Sequence, residues 1–321
     1  MSDTAWARGR AYALLAKLLL EGLDADTLAL VRALPGWLLD DSGDSVDSID
    51  LDRLAAEQHA CLQLGVFPHA GVFLDRSAVA GARADLAFEY YERARFRPRL
   101  DEVSGDHLGI LVAFLAYAAP RRELDPIVAE FLPACVLSWL PALVVAAEAL
   151  DDAGRFWPRV LHATLELCAE HRLALIERFG PRDQAPELLE PLDLADESTG
   201  LRQIAEHLLT PAASGVFLTR SDLAQLGRAH QIPRGFGSRL IMLDNLLRSA
   251  VEHGQLSPLL DSLDALLVER AAALDTLAAA LSLTSMVAPW KDAIGRTRTI
   301  TQTLAHAAPE RSSGALADES D

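Results

Sequence analysis

No two cysteines in this chain stand close enough in sequence to act as a pair. Cys61, Cys135 and Cys168 are far apart, lie in apolar surroundings and form no CxxC motif. That argues against a thiolate zinc site and a disulfide framework, and points to buried free thiols in a reducing compartment. Bases are scarce as well: 29 Lys and Arg face 46 Asp and Glu, for a formal net charge of −17 over 321 residues. Binding to a phosphate backbone depends on clustered cations, so this balance excludes nucleic acid as the expected partner and favours cationic ligands. A long apolar run is also lacking. The longest uncharged stretch, 131–147, falls short of the roughly 20 residues a spanning helix needs and contains Pro133 and Pro141. It reads as a buried core helix. The N-terminal apolar run 11–20 is broken by Lys17 and has no cleavage pattern after it, so no export signal is read. The expectation is a cytoplasmic protein without a membrane span.

The signatures of catalysis are missing too. There is no GxxxxGK[ST], no GxGxxG after a strand, no HExxH and no GxSxG. His162, Cys168 and His171 share one helical stretch, but the six-residue step between the first two points them to different faces. Glu166 and Glu170 read as a solvated helix face. The expectation is a protein that is not an enzyme and carries no cofactor and no metal.

What is present is helix. Half of the residues are hydrophobic, enough for a sizeable core. Apolar residues recur at helical spacing over 4–21, 26–34, 50–64, 77–95, 108–119, 123–150 (bent at Pro133 and Pro141) and 154–179. The 77–95 segment is read as amphipathic through Leu86, Tyr90 and Arg93, and Trp139 and Trp157 as core aromatics. An aspartate-rich patch at Asp40, Asp41, Asp44, Asp47, Asp50 and Asp52 reads as a solvated loop. Three prolines within 181–191 mark a linker, 181–197. A second set of helices follows over 198–308, and the polar 309–321 tail reads as disordered. No strand of useful length is predicted; Val216-Phe217-Leu218-Thr219 is the nearest. The stretch around Ser221–Leu240 loosely has the form of a helix-turn-helix. It would make the chain a helical regulator, but on an acidic module.

One stretch stands apart. Phe67, Pro68, Gly71 and Phe73 make a stiff, apolar turn, and Asp106-His107 later opens the apolar run Leu108 to Tyr117. Ser104 is read as that helix's N-cap, with Asp106 in its first turn where the helix dipole favours a carboxylate. The same carboxylate and imidazole, beside an aromatic turn, have the chemistry to hold a guanidinium while apolar walls hold a greasy side chain.

The order of motifs carries a likeness: AYALLAKLLL, FPHAGVFLD, SGDHLGILVAFLAYA, FLPACVLSWLPALVVAAEAL and FWPRVLHATLELCAEH. Over residues 5–180 the chain resembles the TorD/DmsD/NarJ group of cytoplasmic chaperones for molybdenum-containing redox enzymes. Pro68, Gly71, Val72 and Phe73 match the family's loop, and Asp106 and His107 match its Asp-His helix mouth. His69 stands where the family has an aromatic, and Val103 and Ser104 where it has Glu and Pro. The resemblance implies an all-α fold: a TorD/DmsD-like helical bundle over 1–180, followed by a smaller helical module. It implies a chaperone that binds the twin-arginine leader of the apo-form of a molybdenum-containing oxidoreductase subunit and aids cofactor insertion before export or assembly. Monomer and dimer are both left open. The peptide-binding residues it implies are Phe67, Pro68, Gly71, Phe73, Asp106, His107, Leu108 and Leu111.

Overall fold

A computed structural model of the chain describes residues 3–33, 50–76, 81–99, 103–150, 154–182, 185–196, 198–233 and 235–307. Asp40, Asp41, Asp44 and Asp47 of the acidic patch lie outside the described residues, as does the 309–321 tail. The fold is all-α, as the periodicity predicts, with no strand among the described residues.

The N-terminal part runs α1 (Asp3–Glu21), α2 (Ala25–Arg32), α3 (Leu51–Gln58), a π-helical turn (His59–Gly65), α4 (Ala70–Leu74), α5 (Ala82–Arg93) and α6 (Leu108–Ala118). It continues with α7 (Asp125–Phe131), a second π turn (Leu132–Leu137), α8 (Leu140–Glu148) and α9 (Phe156–Phe179). α1 lies along α6, and Gly109 sets how close they come: a Cβ there would sit 2.6 Å from Leu20 Cγ. The 123–150 stretch breaks near the places its prolines predict. Pro133 has no N–H to give the ladder, and the backbone loosens into the π turn around it. By length and composition 122–148 is apolar enough to cross a membrane, but 83% of its most apolar window is buried inside the protein. Trp139 and Trp157 are fully buried, and their indole N–H groups donate to Cys135 O and Leu54 O, each at 2.8 Å.

In α5 the sequence pattern is off by one position. The buried stripe is Ala84, Ala87 and Tyr91; Leu86 and Tyr90 lie at its margin. Tyr91 wins the inward position because its ring packs edge-on against Phe96 and its hydroxyl donates to Gly105 O at 2.9 Å.

The C-terminal part runs α10 (Leu201–Leu209), α11 (Pro211–Ser214), α12 (Arg220–Ala229), α13 (Arg239–Glu252), α14 (Leu256–Leu281) and α15 (Thr284–Ala307). α14 and α15 pair as a long hairpin that turns at Ser282. The two parts share one contiguous core. Trp290, fully buried on α15, donates to Ser138 O at 2.9 Å, and Gly215 turns tightly under the same helix at φ +82°. A side chain at Gly215 would meet Trp290 O and Ile294 N at 2.6 Å. The proline-rich segment does not stand off as a free tether: Leu188 and Leu192 lie against the core, and Leu189 N–H donates to Ala212 O at 2.8 Å.

A shared core predicts one cooperative transition for the whole chain. Urea unfolding followed by far-UV circular dichroism and by tryptophan fluorescence is expected to give coincident midpoints. Trp290→Ala is expected to lower stability by about 3–5 kcal/mol while keeping the transition single. Two separated transitions in the parent chain would contradict the shared core.

Candidate functional site

The turn that carries the motif begins with strain. Phe67 sits at φ +50°, in the left-handed region that non-glycine residues seldom occupy. Pro68 follows with its φ fixed by its ring, and its carbonyl accepts from Leu108 N–H at 2.8 Å. One residue on, His69 and His107 form an isolated antiparallel bridge, their rings edge to face at 4.8 Å. Ala70 N–H donates to Asp106 O at 3.2 Å. The turn is thus stitched by backbone to the residues before α6, and it opens directly into α4.

Asp106 closes the stitch. Its Oδ2 accepts from Gly71 N–H at 2.8 Å, while Oδ1 faces His69 Nδ1 at 3.4 Å. Burial pushes this carboxyl upward, but hydrogen bonds from His69, the Gly71 amide and Ser104 outweigh it and hold it down to about 2. Asp106 therefore caps α4 and lies outside the first turn of α6. The N-cap of α6 is His107, whose Nδ1 accepts from Gly109 N–H at 3.1 Å. This corrects the assignment of that cap to Ser104. Ser104 instead supports the turn, its carbonyl accepting from His107 N–H at 3.0 Å.

All of the sequence-predicted residues converge, and they converge inward. Phe73, Leu108 and Leu111 are fully buried or nearly so, as are Pro68 and Gly71, and Asp106 and His107 are each 7% exposed. Only Phe67 is half-buried. The aromatic turn is covered by the C-terminal part: Phe217 stacks on Phe73 at 5.2 Å and lies 6.4 Å from Phe67. Phe73 in turn meets Trp139 at 5.4 Å. Above Phe217, the Arg239 guanidinium sits 4.0 Å from the ring centroid and donates to Leu218 O at 2.8 Å. In the sequence Val216-Phe217-Leu218-Thr219 is only the nearest approach to a strand. Nothing in it announced a partner some 150 residues earlier in the chain.

Open space lies beside this joint. A groove of ≈ 490 Å³ runs between the proline-rich segment and α10–α11, reaching Arg76 just past α4 and Leu240 on α13. Leu189, Leu192 and Leu209 give it apolar walls, and Glu190, Asp193 and Glu206 give it negative charge. Glu206 is shared with Arg202 at 3.1 Å, whereas Glu190 makes no ion pair among the described residues. His207 also lines the groove; burial, then the Arg296 charge, pushes it down to about 4, so it is neutral at pH 7 and hydrogen-bonded to Thr297 Oγ1 at 3.1 Å. The arrangement suits a ligand with a cationic end and an apolar body. The sequence analysis missed this groove, because it forms only when the proline-rich segment docks.

Other chemistry finds little footing. Burial pushes the Cys61 and Cys168 thiols up to about 12 and Cys135 higher still, so none is a thiolate at neutral pH. Among the described residues no cluster of three or more His, Cys, Asp or Glu is placed to hold a metal ion.

Three buried histidines make stability pH-dependent. Burial lowers His107 and His207 to about 4 and His171 to about 3. Between those values and the unfolded value near 6.5 the unfolded chain binds more protons, so their contribution is full above pH 6.5 and is lost as pH falls to 4. Each adds at most about 1.4 kcal/mol per pH unit. Asp106, also depressed, contributes above about pH 4, and that contribution is lost as pH drops through 2. His107→Asn, which keeps a capping oxygen, is expected to flatten the fall in urea-unfolding free energy between pH 6.5 and 4.5; an unchanged slope counts against the assignment. Asp106→Ala strands the Gly71 amide and is expected to cost about 2–3 kcal/mol in the same assay.

Comparison of the chain with protein-family models, with curated proteins and with solved structures finds no match.

Proposed function

We propose that this chain is a maturation chaperone that binds the leader peptide of the apo-form of a molybdenum-containing oxidoreductase in the cytoplasm, before cofactor insertion and export or assembly. The observation that carries this reading is the acid-lined, leucine-walled groove opening beside the motif-bearing turn. A twin-arginine leader joins two guanidiniums to an apolar stretch. Glu190, Asp193 and Glu206 offer carboxylates to the first, and Leu189, Leu192, Leu209 and Leu240 offer a surface to the second.

This moves the arginine contact away from Asp106 and His107. Both oxygens of Asp106 are already engaged, and a guanidinium could reach them only by breaking the bond to Gly71. The turn then braces the joint beside the site, and Phe67 is its most accessible predicted residue. The chain's net charge of −17 supports the same reading, since it raises the local concentration of a cationic peptide. The regulator alternative is disfavoured: Arg239, one of the bases a DNA-reading helix would use, is packed over Phe217 at the joint, 4.0 Å from the ring centroid.

Titration with a synthetic leader carrying Arg-Arg is expected to give saturable binding that weakens with salt. A Lys-Lys leader is expected to bind less tightly, because an ammonium cannot form the bidentate pair. Glu190→Lys and Asp193→Lys are each expected to lower affinity about tenfold or more. Equal affinity for both leaders, or none for any leader of a neighbouring redox enzyme, would sink the proposal.

A further inference from the structure

Two arginines at the joint between the two parts gather positive charge without an ion pair among the described residues. Arg220 and Arg239 are the first residues of α12 and α13. Arg220 Nη1 lies 3.9 Å from Met242 Sδ, one turn along α13 from Arg239, so both guanidiniums lie over the first turn of that helix. Neither makes an ion pair with any described carboxylate, although acids outnumber bases 46 to 29 in the chain. The acid nearest in sequence, Asp222, is fully engaged. Its Oδ2 accepts from Thr219 N–H and from the Thr219 hydroxyl, each at 2.7 Å, and its Oδ1 accepts from Arg270 at 2.9 Å.

Arg239 is the more unusual of the two. It is half-buried, and its guanidinium lies against Phe217 at 4.0 Å and Phe67 at 6.0 Å, with Leu218 O as its acceptor among the described residues. Burial, and then the Arg220 charge, lower its pKa to about 10. A half-buried guanidinium beside a second cation is costly unless an anion completes it. The rings hold its planar fork in place, and they are themselves held by a strained residue, since Phe67 has φ +50°. Such preorganisation suits the two oxygens of one carboxylate or phosphate group.

We propose that Arg239 and Arg220 form an oxyanion-binding site at the start of α13, with Arg239, set against Phe217 and Phe67, as the fixed element and exposed Arg220 as the closing one. The ligand class is a carboxylate or phosphoryl group. The site lies at the inter-part joint, so an anion bound there reinforces the contact between the aromatic turn and the C-terminal helices. It stands independently of what the groove binds.

The test is isothermal titration of the full chain with inorganic phosphate and, separately, with succinate, at ionic strength held constant with sodium chloride. Saturable binding of either is expected; phosphate alone identifies a phosphoryl ligand, and succinate alone a carboxylate. Arg220→Gln, on an exposed side chain, is expected to leave the circular dichroism spectrum unchanged and to weaken binding about tenfold or more. Arg239→Gln is expected to abolish binding. Should that variant fold poorly, Arg220→Gln decides alone. Absence of saturable binding by both anions, or affinity unaltered in Arg220→Gln, would overturn the site.

Discussion

The bond from Gly71 N–H to Asp106 Oδ2 is the constraint on which the rest of the architecture turns. One carboxylate caps α4, fixes the Pro68–Phe73 turn against the start of α6, and is kept ionised by the donors around it. With the turn fixed, Phe73 faces inward to Trp139 and presents its other face to Phe217. The C-terminal helices dock on that aromatic face, and the proline-rich segment, pinned through Leu189 to Ala212, closes the groove beside it. Removing the carboxylate therefore reaches further than one cap.

A buried polar doublet at a helix mouth is ambiguous in sequence because capping and ligand binding use the same groups. In this chain the geometry shows the capping role. The Asp106 carboxylate and the His107 Nδ1 are already engaged within the protein, while Glu190 and Asp193 are exposed. Under the proposed reading, the motif braces the joint and the proline-rich segment supplies the charge of the adjacent groove. Arg239 links them, since its ring contacts hold the joint and Leu240 next to it lines the groove.

Much of the fold was legible in the residues. The helical period located α1, α6 and α9 within a few residues, because long apolar stripes leave little choice of partner face. Pro133 announced the break before α8, and the bulk of Trp139 and Trp157 announced their burial. Two local readings went astray for physical reasons. Alanines carry little hydrophobic signal, so the inner face of α5 was assigned to Leu86 and Tyr90 when Ala84 and Ala87 let the helix approach closely. Ser104 is an ordinary capping residue, but a histidine acceptor two residues before Gly109 did the capping. The site was legible only as a convergence. Its residues do meet, yet what covers them, Phe217 and Arg239, and what opens beside them, the groove at Glu190 and Asp193, depend on contacts between distant parts that no local pattern encodes.

The central claim is that the motif-bearing turn is a structural joint and the adjacent groove is the binding surface. Amide hydrogen exchange with and without an Arg-Arg leader peptide tests it most directly, because the two places lie on separate peptides of the chain. The account predicts new protection over 186–193 and 201–213 on binding, with exchange over 67–74 and 104–111 slow and unchanged. Protection gained or lost at 67–74, with no change over 186–193, would show that the turn itself receives the peptide and would contradict the account.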